Sequence, residues 1–254
     1  MTAPMSVNFD VPRQKRSDLV ADEIKRWIVR ERKRPGDRLP NERELMALFG
    51  VSKGTMRECL KSLEIQGIIR ISTGPRGGPM IAEVPYQTSA ELLGNYFYFK
   101  HLDAARLYQV RRLLEPELAA SAVPHLDDAA LAKLAHSIER CAVKPSTPEI
   151  QREQRIEELR FHDLFAEASP NPLLAFNCKF INDLLSRKVV FKSMYMKRQE
   201  DVRLQNLAFH RDIYEATVAR DAEAVRRLMY EHMVECEAHA AQLDAIVETD
   251  FLKL

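Results

Sequence analysis

The sequence predicts a mostly α-helical protein: an N-terminal winged helix-turn-helix followed by an all-helical bundle of six or seven helices. Residues 39–84 carry the first prediction, because two short helical patterns joined by a tight turn precede a two-stranded hairpin with a Gly-rich tip. The second rests on the absence of a convincing strand pattern after about residue 90 and on the low glycine content, 8 of 254 residues. This length accommodates two domains.

Capping residues place the N-terminal helices. Ser17 is expected to cap the first helix, and Asn41 with Glu44 forms a capping-box pattern at the start of the second. Gly50 supplies the turn and Ser52 caps the third helix. The inner faces of the second and third helices are predicted to carry Leu45, Leu48, Phe49, Met56, Leu60 and Leu63.

The wing and the domain boundaries follow from turn residues. The strands are predicted at 68–71 and 80–84, on either side of a tip at 74–78. Pro and Asp breaks separate the later helices, and Pro116 is expected to bend or restart one of them. The predicted domains are a flexible tail at 1–12, the winged helix-turn-helix at 13–84, a linker at 85–92 and the helical domain at 93–248. The predicted helices of that second part are 90–99, 103–122, 127–142, 149–168, 172–188, 200–219 and 221–246.

The charge distribution separates the two parts of the chain. The net charge is only +1, but residues 13–86 hold 16 basic against 10 acidic side chains, and the rest holds 22 against 27. A basic module joined to an acidic one suits a protein that contacts phosphate with one end. No apolar run reaches the ~20 residues of a membrane span, and the four cysteines are far apart, so we expect a cytoplasmic protein without a membrane partner.

The N-terminal turn of the third helix is the expected DNA-reading element. Arg and Lys side chains there can donate to guanine, whereas Thr55 and free backbone amides suit phosphate oxygens. The tip of the wing can lie along the minor groove. The expected DNA-binding residues are Arg43, Lys53, Gly54, Thr55, Arg57, Arg76 and Gly77. The alternative is that these charges form an ordinary solvated face.

A second group of residues has the chemistry of a metal site. Glu158 and His162 are four residues apart on one predicted helix, and His210 and His232 lie on two others. One carboxylate and three imidazoles can hold a divalent ion such as Zn²⁺, Ni²⁺ or Mn²⁺ with positions left open for a ligand. Isolated histidines are more often ordinary core or surface residues. A competing cluster is formed on one helix face by His232, Cys236 and His239.

The N-terminal motifs resemble the GntR family of bacterial repressors. The similarity covers about 70 residues and consists of L-P-N-E-R-E-L, then G-V-S-K-G-T-M-R-E-C-L, then L-E-I-Q-G-I-I and the Gly-rich wing. It implies that Arg43, Lys53, Arg57 and Gly77 contact operator bases. Lys53 stands where arginine is usual in the family, and lysine lacks the bidentate fork of a guanidinium.

Beyond residue 100 the chain resembles the FCD ligand-binding domain of the FadR branch of that family. The cues are Val110-Arg111 with Glu115, F-H-D-L-F-A-E-A-S-P-N-P-L-L and D-A-E-A-V-R-R-L-M-Y-E-H-M. The resemblance implies a metal bound by the four residues above, with Glu158 in place of the usual Asp. It also implies that Arg111 and Asn171 face a bound effector. An organic acid is a suitable effector, because its carboxylate can bind both the metal and the guanidinium of Arg111. Alternatively, Arg111 and Glu115 form only an i,i+4 pair.

These features predict a transcriptional regulator, most simply a repressor. Its expected partners are double-stranded operator DNA, a small carboxylate effector and a second copy in a homodimer. The main alternative is a metal-dependent hydrolase with an appended nucleic-acid-binding domain, in which Glu158 acts as general base. A non-specific architectural DNA-binding protein is a third possibility. No further acid/base pair, Ser/His/Asp order or phosphate loop supports an enzyme, so none is expected.

Overall fold

The computed structural model describes residues 15–74, 77–98, 100, 102–191 and 200–247. The predicted tail at 1–12 and the predicted DNA contact Arg76 lie outside these residues. The chain divides into two compact units, one up to Leu92 and the other from Leu93. No helix in the described ranges is long and apolar enough to cross a membrane.

Helices dominate both units, as predicted. The elements in chain order are α1 (Arg16–Arg30), α2 (Glu42–Phe49), α3 (Lys53–Ile65), β1 (Ile69–Ser72), β2 (Gly78–Ile81), α4 (Tyr86–Tyr98), α5 (Ala104–Ala122), α6 (Asp128–Ala142), α7 (Pro148–Ala168), α8 (Pro172–Phe191), α9 (Glu200–Val218) and α10 (Ala222–Val247). A short 3-10 turn, Val123–His125, follows α5.

The first unit is a winged helix-turn-helix. The Asn41 side chain caps α2 in a capping box with Glu44, Gly50 turns the chain at φ +60°, and Ser52 caps α3. These caps satisfy backbone amides that a helix start leaves without partners. A core from α1, α2, α3 and the hairpin fixes the three helices, and its buried members are Val20, Ala21, Ile24, Leu39, Leu45, Met56, Cys59, Leu60, Leu63, Ile69 and Ile81.

The wing is an antiparallel hairpin whose register pairs Ile69 with Ile81 and Ser72 with Gly78. A bridge between Arg38 and Met80 adds a short third segment at its edge. The second strand ends at Ile81 rather than at the predicted residue 84.

The second unit is a helical bundle. The most extensive helix packing is that of α5 against α10, and α7 lies against α5, α6 and α8. Its apolar core is lined by side chains of α5 to α10, among them Leu118, Leu134, Phe161, Phe165, Leu185, Ile213, Val225 and Met233. Side chains of α7, α9 and α10 all enter this core, and each of these three helices carries one histidine of the site described below.

Two local expectations were wrong. Lys15, not Ser17, is the residue before α1, which begins two residues earlier than a Ser17 cap would place it. Leu48 is 62% exposed, on the outer face of the two-turn α2. The helix α5 continues through Pro116 without restarting there, and the segment predicted as a linker, 85–92, is helical from Tyr86 onward.

Candidate DNA-reading surface and candidate metal centre

The start of α3 presents the residues predicted to read DNA. Lys53 and Gly54 are exposed, and Thr55 is half-buried. The Ser52 hydroxyl accepts a hydrogen bond from the Thr55 amide at 3.3 Å, and the two hydroxyl oxygens lie 3.0 Å apart. The first turn of α3 is exposed to solvent beside this cap. The other backbone amides of that turn and the Lys53 ammonium can therefore contact a phosphate or a base edge.

Arg57 and Arg43 lie on the exposed faces of α3 and α2. The Arg57 Nε donates to Glu42 at 3.1 Å, and the Arg57 side chain is 65% exposed. Such surface pairs contribute only about 0–1 kcal/mol to stability. The contact with Glu42 therefore orients Arg57 but is weak enough to be exchanged for another partner. The guanidinium is therefore available to a base edge.

Gly77 has a structural reason to be glycine. A Cβ at this position would lie 2.4 Å from the Ser72 carbonyl oxygen and 2.8 Å from the Thr73 carbonyl carbon. The Gly77 amide donates to the Gly74 carbonyl oxygen at 2.8 Å, which closes the tip of the wing. The geometry of the tip therefore requires this glycine whether or not it contacts DNA.

Three buried histidines converge in the second unit. His162 on α7, His210 on α9 and His232 on α10 are 3%, 2% and 1% exposed. The Nε2 of His210 lies 3.3 Å from the Nε2 of His162 and 3.2 Å from that of His232. One ring nitrogen from each histidine lies within 4.8 Å of the other two. The fold thus brings together three of the four predicted metal ligands, and we refer to them as the histidine triad.

The spacing within the triad suits a metal ion. Two nitrogens bound at 2.0–2.1 Å to a tetrahedral ion lie about 3.3–3.4 Å apart. The two Nε2 separations that involve His210, 3.2 and 3.3 Å, are close to this value. Neutral imidazoles that point nitrogens at one another satisfy only some of their lone pairs, whereas a cation accepts all three. The residues therefore fit a divalent metal.

A buried carboxylate orients the first of these histidines. The Oε2 of Glu115 lies 2.6 Å from the Nδ1 of His162. A proton held on Nδ1 by this carboxylate leaves the Nε2 lone pair directed at the other two histidines. The same Glu115 accepts hydrogen bonds from the Nε of Arg111 at 2.5 Å and from its Nη2 at 3.2 Å. Arg111, Glu115 and His162 therefore form one connected group.

Burial keeps the triad neutral. The pKa of His162 is lowered by burial, against the opposing charge of Glu115. The pKa values of His210 and His232 are lowered well below 6.5 by burial and then by neighbouring histidines. Burial also disfavours ionised Glu115, but Arg111 and His162 outweigh it and lower the pKa of that carboxyl. Neutral imidazole is the form that binds metals.

Glu158, the fourth predicted ligand, is not part of the triad. It lies one turn before His162 on α7 and is 4% exposed. Its Oε2 accepts hydrogen bonds from the Nη1 of Arg155 at 2.6 Å and from the side-chain amide of Asn206 at 3.3 Å. The Nη2 of Arg155 donates to the Tyr108 hydroxyl at 2.7 Å. In this structure the predicted tetrad is a triad with an ion pair beside it.

The remaining predicted residues take other positions. Asn171 is exposed, and its side-chain oxygen accepts from the amides of Leu173 and Leu174 at the start of α8, as a helix cap does. Cys236 lies beside His232, with 3.7 Å between Sγ and Nδ1. His239 is not grouped with them as a metal ligand among the described residues. Among the described residues, the fold therefore groups His232 with His162 and His210, and not with Cys236 and His239 as the competing prediction had it.

Sequence reasoning missed Arg155, Tyr108 and Asn206. Arg155 stands three residues before Glu158, a spacing that permits an ion pair on any helix, so it is a weak signal by itself. Phe161 was also missed; it stacks on His210 with 4.1 Å between ring centroids. Aromatic packing of this kind fixes the orientation of an imidazole in the core.

Comparisons with known proteins agree with this architecture. Residues 16–76 match the model of bacterial regulatory proteins of the gntR family, and residues 106–235 match the FCD domain. The HTH-type transcriptional repressor NanR of Citrobacter rodentium is 26% identical over 89% of this chain and 85% of its own length. NanR of Escherichia coli K12 is 25% identical over 87% of this chain and 82% of its own.

A solved structure shares the fold. A GntR protein of Streptococcus agalactiae superposes with a TM-score of 0.57 at 20% identity, covering 88% of this chain and 99% of its own. The family matches and the named relatives are regulators of transcription and give no support to a hydrolase. This chain belongs to the family of ligand-responsive, DNA-binding transcriptional regulators that join a GntR-type winged helix-turn-helix to an FCD domain.

Proposed function

We propose that this protein is a repressor whose FCD domain binds a divalent metal through the histidine triad and, with it, a small carboxylate effector. The observation that carries the proposal is the convergence of His162, His210 and His232, all buried, with Nε2 separations of 3.2 and 3.3 Å. The repressor assignment is supported by the similarity to the NanR relatives, which are HTH-type transcriptional repressors. The choice among Zn²⁺, Ni²⁺ and Mn²⁺ stays a prediction.

Charge favours an anionic effector. The three histidines are neutral, and the pairs Arg111–Glu115 and Arg155–Glu158 each sum to zero. A bound divalent ion therefore leaves about two uncompensated positive charges in a buried site, which is costly without an anion. A carboxylate supplies the charge together with oxygen ligands for the metal.

Arg111 is proposed to act on the effector site through other residues and not by direct contact. It is 1% exposed, and two of its nitrogens already donate to Glu115. Its described bonds orient His162 through Glu115, so we assign it a positioning role. Asn171, exposed at the start of α8, is not included in the proposed effector site.

DNA binding is assigned to the exposed start of α3, to Arg43 on α2 and to the wing. We infer a homodimer, because two winged units match two half-sites on one face of a duplex. α5 and α10 pack together and expose apolar side chains at helical spacing, Val110 and Leu113 on one and Tyr230 and Val234 on the other. This face supports the dimer proposal. Since operator DNA is its target, we place the protein in the cytoplasm.

The proposal is tested by metal content. Protein purified without chelator should carry about one divalent ion per chain in elemental analysis. His162→Ala and His210→Ala should each remove most of it, because three ligands are the minimum for a tight site. His136→Ala is the matched control, since His136 is exposed on α6. A wild-type protein that takes up no metal even after reconstitution would refute the metal site.

The regulatory part needs coupling between effector and operator. Effects of this kind are typically ~1–3 kcal/mol and are reciprocal, so operator DNA must shift effector affinity by the same factor. Titrations of each ligand in the presence and absence of the other measure both factors. An organic acid that binds the FCD domain without changing operator affinity is not the signal.

A further inference from the structure

The predicted DNA-reading surface includes an acidic side chain, Glu42, which is the first residue of α2. Its Oε1 accepts a hydrogen bond from the Nε of Arg57 on α3 at 3.1 Å. A carboxylate on a surface that meets DNA opposes binding, because contacts with the phosphates supply much of the affinity of such surfaces. Glu42 therefore needs a role other than attraction to DNA.

Glu42 is held more firmly than the arginine that it contacts. The capping box fixes the first turn of α2: the Asn41 side chain accepts from the amide of Glu44 at 3.0 Å, and the Glu44 side chain accepts from the amide of Asn41 at 2.9 Å. Leu45, fully buried, anchors the same turn in the core. The side chain of Glu42 is 34% exposed, whereas that of Arg57 is 65% exposed. The contact thus restrains a long, exposed side chain from a fixed point on α2.

The restraint acts on a part of Arg57 that end-on base reading does not use. The hydrogen bond to Glu42 is made by Nε, which leaves the two terminal nitrogens, Nη1 and Nη2, for another partner. An arginine fork binds O6 and N7 of guanine through two parallel hydrogen bonds. Because an arginine side chain loses rotamer freedom when it is ordered, restraint at Nε before binding favours this two-bond contact.

The carboxylate also changes the charge of this face. Lys53 and Arg57 are exposed and are four residues apart on α3, so both side chains project from one side of the helix. Two cations in this position attract any phosphate, whatever the base sequence. Glu42 compensates one of these charges, so it opposes sequence-independent binding and at the same time holds Arg57 for a base.

We propose that Glu42 is a specificity-determining positioning residue, which holds Arg57 for end-on reading of one guanine and penalises contacts made with phosphate alone. This inference rests on the proposed function, in which Arg57 contacts an operator base. Glu42 itself contacts no base in this assignment, so its effect on base preference passes through Arg57.

The test uses an operator selected from a random duplex library by the wild-type protein, together with the single-base-pair variants of that operator. Arg57→Ala identifies the base pair that Arg57 reads. Glu42→Ala should reduce discrimination at that pair by about fivefold or more, since a bidentate contact is worth roughly 5–150-fold. Binding to random DNA should become tighter, and the slope of log affinity against log salt should steepen by up to about 0.9. Glu42→Met, which keeps the length of the side chain without its acceptors, should give the same result if Glu42→Ala does not fold.

Two further variants separate the hydrogen bond from the charge. Glu42→Gln keeps an acceptor for the Nε of Arg57 and should retain discrimination, although its salt dependence should also be steeper. Glu58→Ala is the matched control, because Glu58 is an exposed acid on α3 that pairs with Lys15 at 3.4 Å. It removes the same charge and should leave discrimination at the base pair of Arg57 unchanged. A loss in either variant equal to that in Glu42→Ala would overturn the positioning role.

The double variant Glu42→Ala/Arg57→Ala shows whether the effect passes through Arg57. Its base preferences should equal those of Arg57→Ala. A further loss of preference would show that Glu42 reads a base itself and would overturn the inference. Full discrimination in a folded Glu42→Ala protein overturns the inference alone, whereas a wild type that selects no sequence overturns the DNA reading of the proposed function as well.

Discussion

Glu115 is a buried charge that contacts both Arg111 and His162, and its replacement by glutamine tests how the site is built. The carboxylate accepts two hydrogen bonds from Arg111, at 2.5 and 3.2 Å, and lies 2.6 Å from the Nδ1 of His162. Arg111 and Glu115 are each 1% exposed. Glu115→Gln keeps the shape but leaves the Arg111 guanidinium buried without its counter-charge.

The expected loss of stability is large. Removing one partner of a buried pair costs about 3–5 kcal/mol. At roughly 2–4 °C per kcal/mol for a protein of this size, the melting temperature should fall by about 6–20 °C. Metal affinity should fall about 10–100-fold, because His162 loses the group that orients it.

Thermal unfolding followed by circular dichroism, in chelator so that metal does not contribute, measures the effect. Glu117→Gln on the same helix is the matched control; Glu117 pairs with Arg226 at 3.0 Å but is 59% exposed, so its loss should cost no more than about 1 kcal/mol. The variant Arg111→Met/Glu115→Leu should be more stable than Glu115→Gln. A Glu115→Gln protein that melts within 2–3 °C of wild type, a shift worth only about 1 kcal/mol, would refute the assigned cost of the uncompensated charge.

Three further predictions concern other parts of the molecule. Arg57→Ala should cost about 1–3 kcal/mol of operator affinity and relax specificity at one base pair, whereas Thr55→Val should weaken all sequences alike; binding to single-base operator variants separates these outcomes. Gly77→Ala should impair operator binding without changing metal content, because its Cβ collides with the Ser72 carbonyl oxygen, 2.4 Å away, in the wing; normal operator affinity would contradict this. Protein freed of metal by a chelator should lose stability as the pH falls below about 6.5. Folding lowers the pKa values of His210 and His232, mainly through burial. Below this pH the unfolded chain therefore binds protons that the folded chain does not, and unfolding is favoured. Melting temperatures at pH 7.5 and 5.5 test this; a melting temperature that does not fall would contradict it.

Local signals in the sequence were sufficient for the winged helix-turn-helix. The Asn41 and Ser52 caps, the left-handed Gly50 and the buried Met56 are each set by residues within one or two turns of chain, and all are found as predicted. The order and limits of the later helices were also predictable, because Pro and Asp residues interrupt an otherwise periodic pattern. The error at Leu48 arose because a two-turn helix offers too few positions to fix its buried face.

The histidines of the triad could be named from the sequence, but their arrangement could not be derived from it. His162, His210 and His232 lie on three helices, and only tertiary packing brings the Nε2 of His210 to 3.3 Å from that of His162 and 3.2 Å from that of His232. The tertiary structure likewise assigned Glu158 to Arg155 and Asn206. Whether a carboxylate contacts a metal position or an arginine depends on differences in distance of a few ångströms. Those distances are set by side chains that are far apart in the chain.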